Sequence, residues 1–337
     1  MAARAEEAER TAAPERRADE NAAQTTDGAA PGIAGAKAPA AKAVEPAPAR
    51  TAPAAKAGAS ARTQRMHGYE RCWDMPFGGD APGRHFSHVF ITIAAILCGF
   101  VFKILFRYKV DHREKLGAFK NKSGVMLISN HTSFLDVVFI YLSVWPKMLP
   151  RFMARDTLFE GKPYILRWIL AHVGTFPVKR DSADRQAVKR ASRMLKNHEV
   201  VCVLPEGTRR GKGSKKPKIH GGAALIARMG KAPIVPMCVR NAENIKRTGE
   251  RMRFPRVTME FGDPILVSDF NFLPKEDRLD GCMWYAMREV FALHQGHPAA
   301  EVDMRALFPD EKDFSAVFAE HPIPHHTAAE LTASTDA

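Results

Sequence analysis

No Gly-x-Ser-x-Gly nucleophile elbow occurs in the 337 residues, so a covalent serine intermediate has no support. Zinc-finger spacings, an aromatic RNP-like motif and a basic zipper are also missing, and nucleic acid is therefore not a predicted partner. The run Gly211-Lys-Gly-Ser-Lys-Lys216 lacks the third glycine and the strand–helix setting of a nucleotide-binding loop. The five cysteines (Cys72, Cys98, Cys202, Cys238, Cys282) are odd in number and widely scattered. That pattern gives no disulfide framework and suits reduced thiols in a cytosolic environment. Residues 1–65 contain no aromatic residue, and Ile33 and Val44 are almost their only large aliphatics. An Ala/Pro/Lys-rich tract of this kind cannot bury enough apolar surface to offset chain entropy, so residues 1–66 are expected to be a disordered tail. The tail also lacks the apolar core and small-residue cleavage pattern of a secretory signal.

What is present begins near Gly68. The formal net charge is +13, and most of it lies outside the tail, where acids and bases nearly balance. A basic folded region implies anionic partners: phosphate-bearing metabolites, acidic lipid surfaces or an acidic protein. Residues 86–106 form the most apolar stretch of the chain. Their uninterrupted part, Val89 to Phe102, falls short of the roughly 20 residues that cross a bilayer. Arg84 stands before it and Lys103, Arg107 and Lys109 follow, so the flanking charge assigns no orientation. A helix lying against or dipping into one leaflet fits better than a clean span, and 67–109 reads as a membrane-associated helical segment.

From residue 110 short strand-like runs alternate with helix-like ones. The runs 125–129, 175–178, 200–204 and 234–239 read as buried strands, and 256–262 alternates as a strand nearer an edge would. Residues 163–173, 183–198 and 221–230 carry helical patterning, the last ended by Gly230. This predicts an α/β domain over 110–298, with a mixed, largely parallel sheet flanked by helices. Residues 299–337 show weak patterning and are expected to form a loosely structured extension.

In sheets of this class ligands bind where strands run out into loops, and the polar clusters sit at those ends. His131 and Asp136 follow the run 125–129. Five residues along a helix is about 140° off-face, so the two meet only with His131 in the loop and Asp136 in the first helical turn. There the carboxylate can take a hydrogen bond from one imidazole nitrogen, fixing the tautomer and making the other nitrogen the better base. The same residues also fit a capping box, with Ser133 as N-cap and Asp136 at the helix's positive end. Spacing alone does not choose between the two roles. A second loop, after 200–204, holds Glu206, Gly207, Thr208 and Arg209. Gly207 permits close backbone approach, and Thr208 and Arg209 are suited to gripping an anionic oxygen. A third, after 175–178, ends on Lys179 and Arg180. His321, His325 and His326 cluster near the C-terminus, but Pro322 and Pro324 argue against the helix that would align the first two, and no metal site is read there.

His131-x-x-x-x-Asp136, Gly174-Thr-Phe-Pro-Val-Lys-Arg180, Pro205-Glu-Gly-Thr-Arg209 and Ala232-Pro-Ile-Val-Pro-Met237 follow in order. Together they resemble the four motif blocks of glycerolipid acyltransferases, most closely the 1-acyl-glycerol-3-phosphate (lysophosphatidic acid) acyltransferase family, over roughly residues 100–270. Leu204 stands where that family often has an aromatic residue, and Arg155 where it often has Lys.

The resemblance implies an enzyme at a membrane that moves a fatty acyl group to the sn-2 hydroxyl of a lysophospholipid acceptor, giving phosphatidic acid. Its co-substrate would be an acyl thioester, of CoA or of acyl carrier protein, with no further cofactor. Carried onto this sequence, it makes His131 the general base and Asp136 its orienting partner. It gives Arg180 and Arg209 the acceptor phosphate, lets Gly207 and Thr208 shape the pocket, and has Glu206 either contact glycerol or brace an arginine. The basic run 209–222 fits anionic lipid headgroups or an acidic carrier protein, and the active site is expected to face the cytoplasm. The alternatives are another acceptor, glycerol-3-phosphate or a lyso-aminolipid, and a non-catalytic peripheral lipid-binding protein. The latter leaves the joint presence of His131, Asp136, Glu206 and Arg209 without a purpose.

Overall fold

The computed structural model describes residues 68–77, 87–179, 184–207, 209–210, 216–246 and 249–333. The expected tail over 1–66, Arg180 and Thr208 lie outside them. The strands are β1 (Lys109–Asp111), β2 (Val125–Ser129), β3 (Pro150–Arg155), β4 (Phe176–Val178), β5 (Val200–Val203), β6 (Ile234–Arg240) and β7 (Thr258–Phe261). They form one sheet in the order β1-β7-β6-β2-β5-β3-β4. Every pairing is parallel except β6 with β7. The sheet is therefore mixed and largely parallel, and β7, which does alternate in burial, lies one strand in from the β1 edge.

All five residues of β2 are buried, which explains an apolar run without alternation. The strand still points its side chains to two faces, as the pleat requires. Met126 and Ile128 join one apolar cluster, and Val125 and Leu127 join the other. The helices are α1 (His88–Phe106), α2 (Arg113–Gly117), α3 (Asp136–Val144), α4 (Tyr164–His172), α5 (Arg185–Lys196), α6 (Gly222–Gly230), α7 (Arg278–Gln295), α8 (Met304–Leu307), α9 (Ser315–Glu320) and α10 (Ala328–Ala333). Residues of α5, α6 and α7 fill the Met126 side, and residues of α1, α2, α3 and α10 fill the Val125 side.

α1 packs at both ends. Phe90 meets Trp168 of α4 at 4.9 Å between ring centroids, and Phe102 and Phe106 each meet Phe139 of α3 at 5.2 Å. Its outer stripe is bare: Val89, Ile93, Leu97, Phe100 and Ile104 are each more than 60% exposed. The exposed Tyr164, Ile165 and Leu166 of α4 add to that apolar surface. Among the described residues α1 alone is long and apolar enough to cross a membrane.

Three regions differ from expectation. The helix α7 and the strand β3 are regular elements that patterning did not single out. Residues 299–333, expected to be loose, carry short helices, and Val302, Met304, Phe308, Phe314 and Phe318 in and beside them are buried in the core with residues of α7. The five thiols are all free, four buried and Cys98 exposed.

Candidate active site

β2 delivers the first loop already fixed. Its last residue, Ser129, and the following Asn130 are fully buried. The Asn130 amide donates to the Val239 carbonyl at 3.0 Å and accepts from the Val239 N–H at 2.9 Å, so a side chain continues the pairing of β2 with β6 where the strand itself stops. His131 is the next residue. Its ring lies 3.0 Å, Nδ1 to Oδ2, from Asp136, which opens α3. The same carboxylate oxygen accepts the N–H groups of Thr132 and Ser133, both at 2.7 Å. A loop of five residues thus curls around one buried oxygen.

That geometry does not form the capping box expected with Ser133 as N-cap. Ser133 is not the N-cap: Leu135 occupies that position, and the Ser133 hydroxyl accepts only the Leu135 N–H, at 3.3 Å. Asp136 itself gathers the loop's N–H groups and holds the imidazole. A carboxylate only accepts, so Nδ1 carries the hydrogen and Nε2 is left as the accepting nitrogen. The Asp136 side chain is wholly enclosed, whereas 17% of the His131 side chain reaches solvent.

β5 is the neighbour of β2, and its loop supplies the second half of the site. Gly207 turns at φ 66°, a left-handed conformation that a side chain would strain. The turn places the Glu206 carboxylate under His131. Oε1 accepts the His131 N–H at 2.9 Å, and Oε2 accepts from Arg210 Nε at 2.9 Å. Arg210 returns the contact, its backbone N–H donating to the His131 carbonyl at 2.8 Å. Of the two roles open to Glu206, bracing an arginine is the one this geometry realises, since its side chain is fully enclosed. The arginine is Arg210. Burial pushes the Glu206 carboxyl above the usual carboxylate range, and the Arg210 charge and the His131 N–H oppose that rise.

Arg209 sits partly buried in this loop. Lys179 follows β4, which lies three strand spacings or about 14 Å across the sheet from β2. Asn130 and Arg210 are the residues that sequence reasoning passed over. Asn130, a polar residue directly after an apolar strand, carried a faint signal, while Arg210 looked like one charge among many in a basic run. His325 and His326 are hydrogen-bonded to Asp263 and Asp269, at 2.9 and 2.8 Å. Among the described residues no group of His, Cys, Asp and Glu is arranged to hold a metal ion.

The family model described as Acyltransferase matches residues 107–240, which include both loops. The chain is 31% identical over 174 residues to the 1-acyl-sn-glycerol-3-phosphate acyltransferase of Bacillus subtilis (strain 168), covering 51% of this chain and 80% of that one. It is 32% identical over 152 residues to the enzyme of the same name from Streptococcus pneumoniae, covering 45% and 53% of the two chains. Among solved structures, the 1-acyl-sn-glycerophosphate acyltransferase of Thermotoga maritima superposes with a TM-score of 0.43 at 19% identity, over 60% of this chain and 87% of that one.

Proposed function

The chain belongs to the 1-acyl-sn-glycerol-3-phosphate acyltransferase family, and from that membership we propose that it moves a fatty acyl group from a thioester to the sn-2 hydroxyl of lysophosphatidic acid. The product would be phosphatidic acid, a precursor for phospholipid synthesis. The observation that carries the reading is the partly exposed His131 imidazole, held through Nδ1 by the buried Asp136.

In this reading Nε2 of His131 takes the hydroxyl proton as the acceptor oxygen attacks the thioester carbonyl. Asp136 steadies the imidazolium that forms. Collapse of the tetrahedral intermediate expels the thiolate, and the imidazolium returns the proton to it, leaving a free thiol and the new ester. Positioned base catalysis of this kind contributes about 10²–10⁴ in rate. Arg209 and Arg180 would hold the acceptor phosphate, with Thr208 beside them; for Arg180 and Thr208 the support is the motif resemblance alone. The donor would be acyl-CoA or acyl carrier protein.

The bare stripe of α1 and the exposed apolar residues of α4 supply a seat on a lipid leaflet. α1 is about 28 Å long, enough to span, but aromatic packing on α3 and α4 favours its lying along the leaflet surface. Phe134, 73% exposed beside His131, would then sit at the depth of the acceptor. Thioester donors and free thiols together favour a site facing the cytoplasm.

The test is acyl transfer by protein reconstituted with lipid, wild type beside His131→Ala. Acyl-CoA and acyl carrier protein donors are each offered with lysophosphatidic acid or glycerol-3-phosphate. We expect phosphatidic acid from the lysolipid with wild type and a loss of about 10²-fold or more with the variant. Equal rates would remove His131 as base. Product only from glycerol-3-phosphate would move the enzyme to a different acceptor.

A further inference from the structure

Segments well beyond the matched acyltransferase region reach the active-site loop, and they do so through Arg210. Its guanidinium lies against two rings that pack edge to face, 4.8 Å from the centroid of Phe291 in α7 and 4.8 Å from that of Phe308. Nη1 donates to the Leu307 carbonyl at 3.1 Å while Nε holds Glu206. The planar fork is thus held against the two rings and bonded along its edge at Nε and Nη1, a geometry that lysine cannot reproduce.

The segment that fixes it is itself anchored. Asp303 caps α8 by accepting the Ala306 N–H at 2.9 Å, and Val302, Met304 and Phe308 are buried. A second tie joins the same two segments, since Glu311 Oε1 accepts the Ile219 N–H at 3.1 Å. The Lys216–Asp310 pair at 2.7 Å spans the same gap but is solvent-exposed and adds little.

We propose that Arg210 is a positioning residue for acyl transfer, and that residues 302–311 are the strap that sets it. The juxtaposition is Leu307 and Phe308 on Arg210, Arg210 on Glu206, and both Glu206 and Arg210 on the backbone of His131. The loop after β2 receives a bond on each side of one residue: the His131 N–H goes to Glu206 and the His131 carbonyl takes the Arg210 N–H. Asp136 sets the ring of His131, and this ladder sets the backbone that carries the ring. Arg210 reaches the chemistry only through these contacts, so its loss should lower turnover without weakening substrate binding. The inference rests on His131 as the base for its kinetic consequence, but its structural core does not.

The experiment uses the full chain with three variants, Arg210→Met, Phe308→Leu and the double variant. Arg210→Met keeps the length and apolar stem of a partly exposed side chain. We expect kcat to fall about 10- to 100-fold with KM for both substrates within about threefold of wild type, as misplacement of a catalytic group does. Phe308→Leu should lose less, about three- to tenfold, and the double variant should be no worse than Arg210→Met alone within about twofold, because the ring acts through the guanidinium. Additive losses, or a kcat for Arg210→Met within twofold of wild type, would overturn the proposal. So would a rise in KM that accounts for the whole loss. Amide exchange over residues 129–136 without substrate gives a readout independent of activity. It should quicken at least about tenfold in Arg210→Met as the His131 N–H loses its fixed acceptor, and unchanged exchange would also overturn the proposal. Quickened exchange in a protein whose wild type transfers no acyl group would leave the strap standing and remove the acyltransferase reading.

Discussion

β5 has a Glu–Arg pair with a buried glutamate at each end, and the two differ in what surrounds them. Before the strand, Glu199 takes Arg151 Nε at 2.7 Å. Arg151 is fully buried, its other nitrogens donate to the carbonyls of Cys72 and Met75, and its guanidinium lies 3.7 Å from the centroid of the Phe77 ring. The free oxygen of Glu199 accepts the Phe77 N–H at 3.2 Å and the Asn197 amide at 2.8 Å. After the strand, Glu206 and Arg210 repeat the scheme but leave it open. The Arg210 side chain is 24% exposed, and its Nη2 is enclosed with no hydrogen-bond partner. A saturated pair fastens the Gly68–Trp73 helical turn and Phe77 to the sheet. The open pair spends one carboxylate oxygen on the backbone of His131, the residue proposed as the base, and in that reading couples stability to function.

The comparison is tested most severely by Arg151→Met. Removing one partner of an enclosed ion pair leaves Glu199 buried and uncompensated, which costs about 3–5 kcal/mol. Urea denaturation should show that loss as a lower midpoint, while turnover per folded molecule stays within about twofold of wild type. A matching collapse of turnover per folded molecule would erase the distinction between the two ends of the strand.

A finer division falls between the adjacent Arg209 and Arg210. If Arg209 grips the acceptor phosphate, Arg209→Ala should raise KM for the lysolipid about 10- to 100-fold, the worth of a charge-assisted hydrogen bond, with kcat little changed. Steady-state kinetics at varied acceptor would show it. A variant that lost kcat at unchanged KM would mean that both arginines position and neither binds.

Much of this frame was legible in the sequence because burial leaves a plain trace. Four strands were readable as short apolar runs and a fifth by its alternation, and the helical angle gave the one arrangement in which His131 and Asp136 could meet. What escaped did so for local physical reasons. β3 carries Arg151 as its second residue and ends on Arg155, and charges inside so short a strand erase the apolar run. α7 contains Gly281, which reads as a helix breaker yet is a packing requirement, since a Cβ there would come within 2.6 Å of Leu273. α8, α9 and α10 are four to six residues long, too short for a periodic face to repeat, although each buries at least one side chain. Arg210 escaped because nothing in a basic run tells the one arginine that finds two rings and a carboxylate from those that meet water.

The smallest expected effect sharpens the comparison from a third buried group beside the open pair. His294, near the end of α7, has Nε2 enclosed without a hydrogen-bond partner. Burial lowers its pKa below the ordinary 6.5; Arg240 and Arg210 lower it further, while Glu243 and Asp136 pull the other way. The sign follows from proton counting. As pH falls below 6.5 the unfolded chain takes up a proton that the folded His294 refuses, so folding stability declines through that window. His294→Phe removes this one titration and should lessen the decline in stability between pH 7 and pH 5.5, above the range where ordinary carboxylates titrate, about pH 4. Urea unfolding at several pH values in that interval separates the cases. Equal slopes for wild type and variant would mean that His294 finds a proton acceptor in solution, and that the open end of β5 is better compensated than its unpartnered Nη2 and Nε2 atoms indicate.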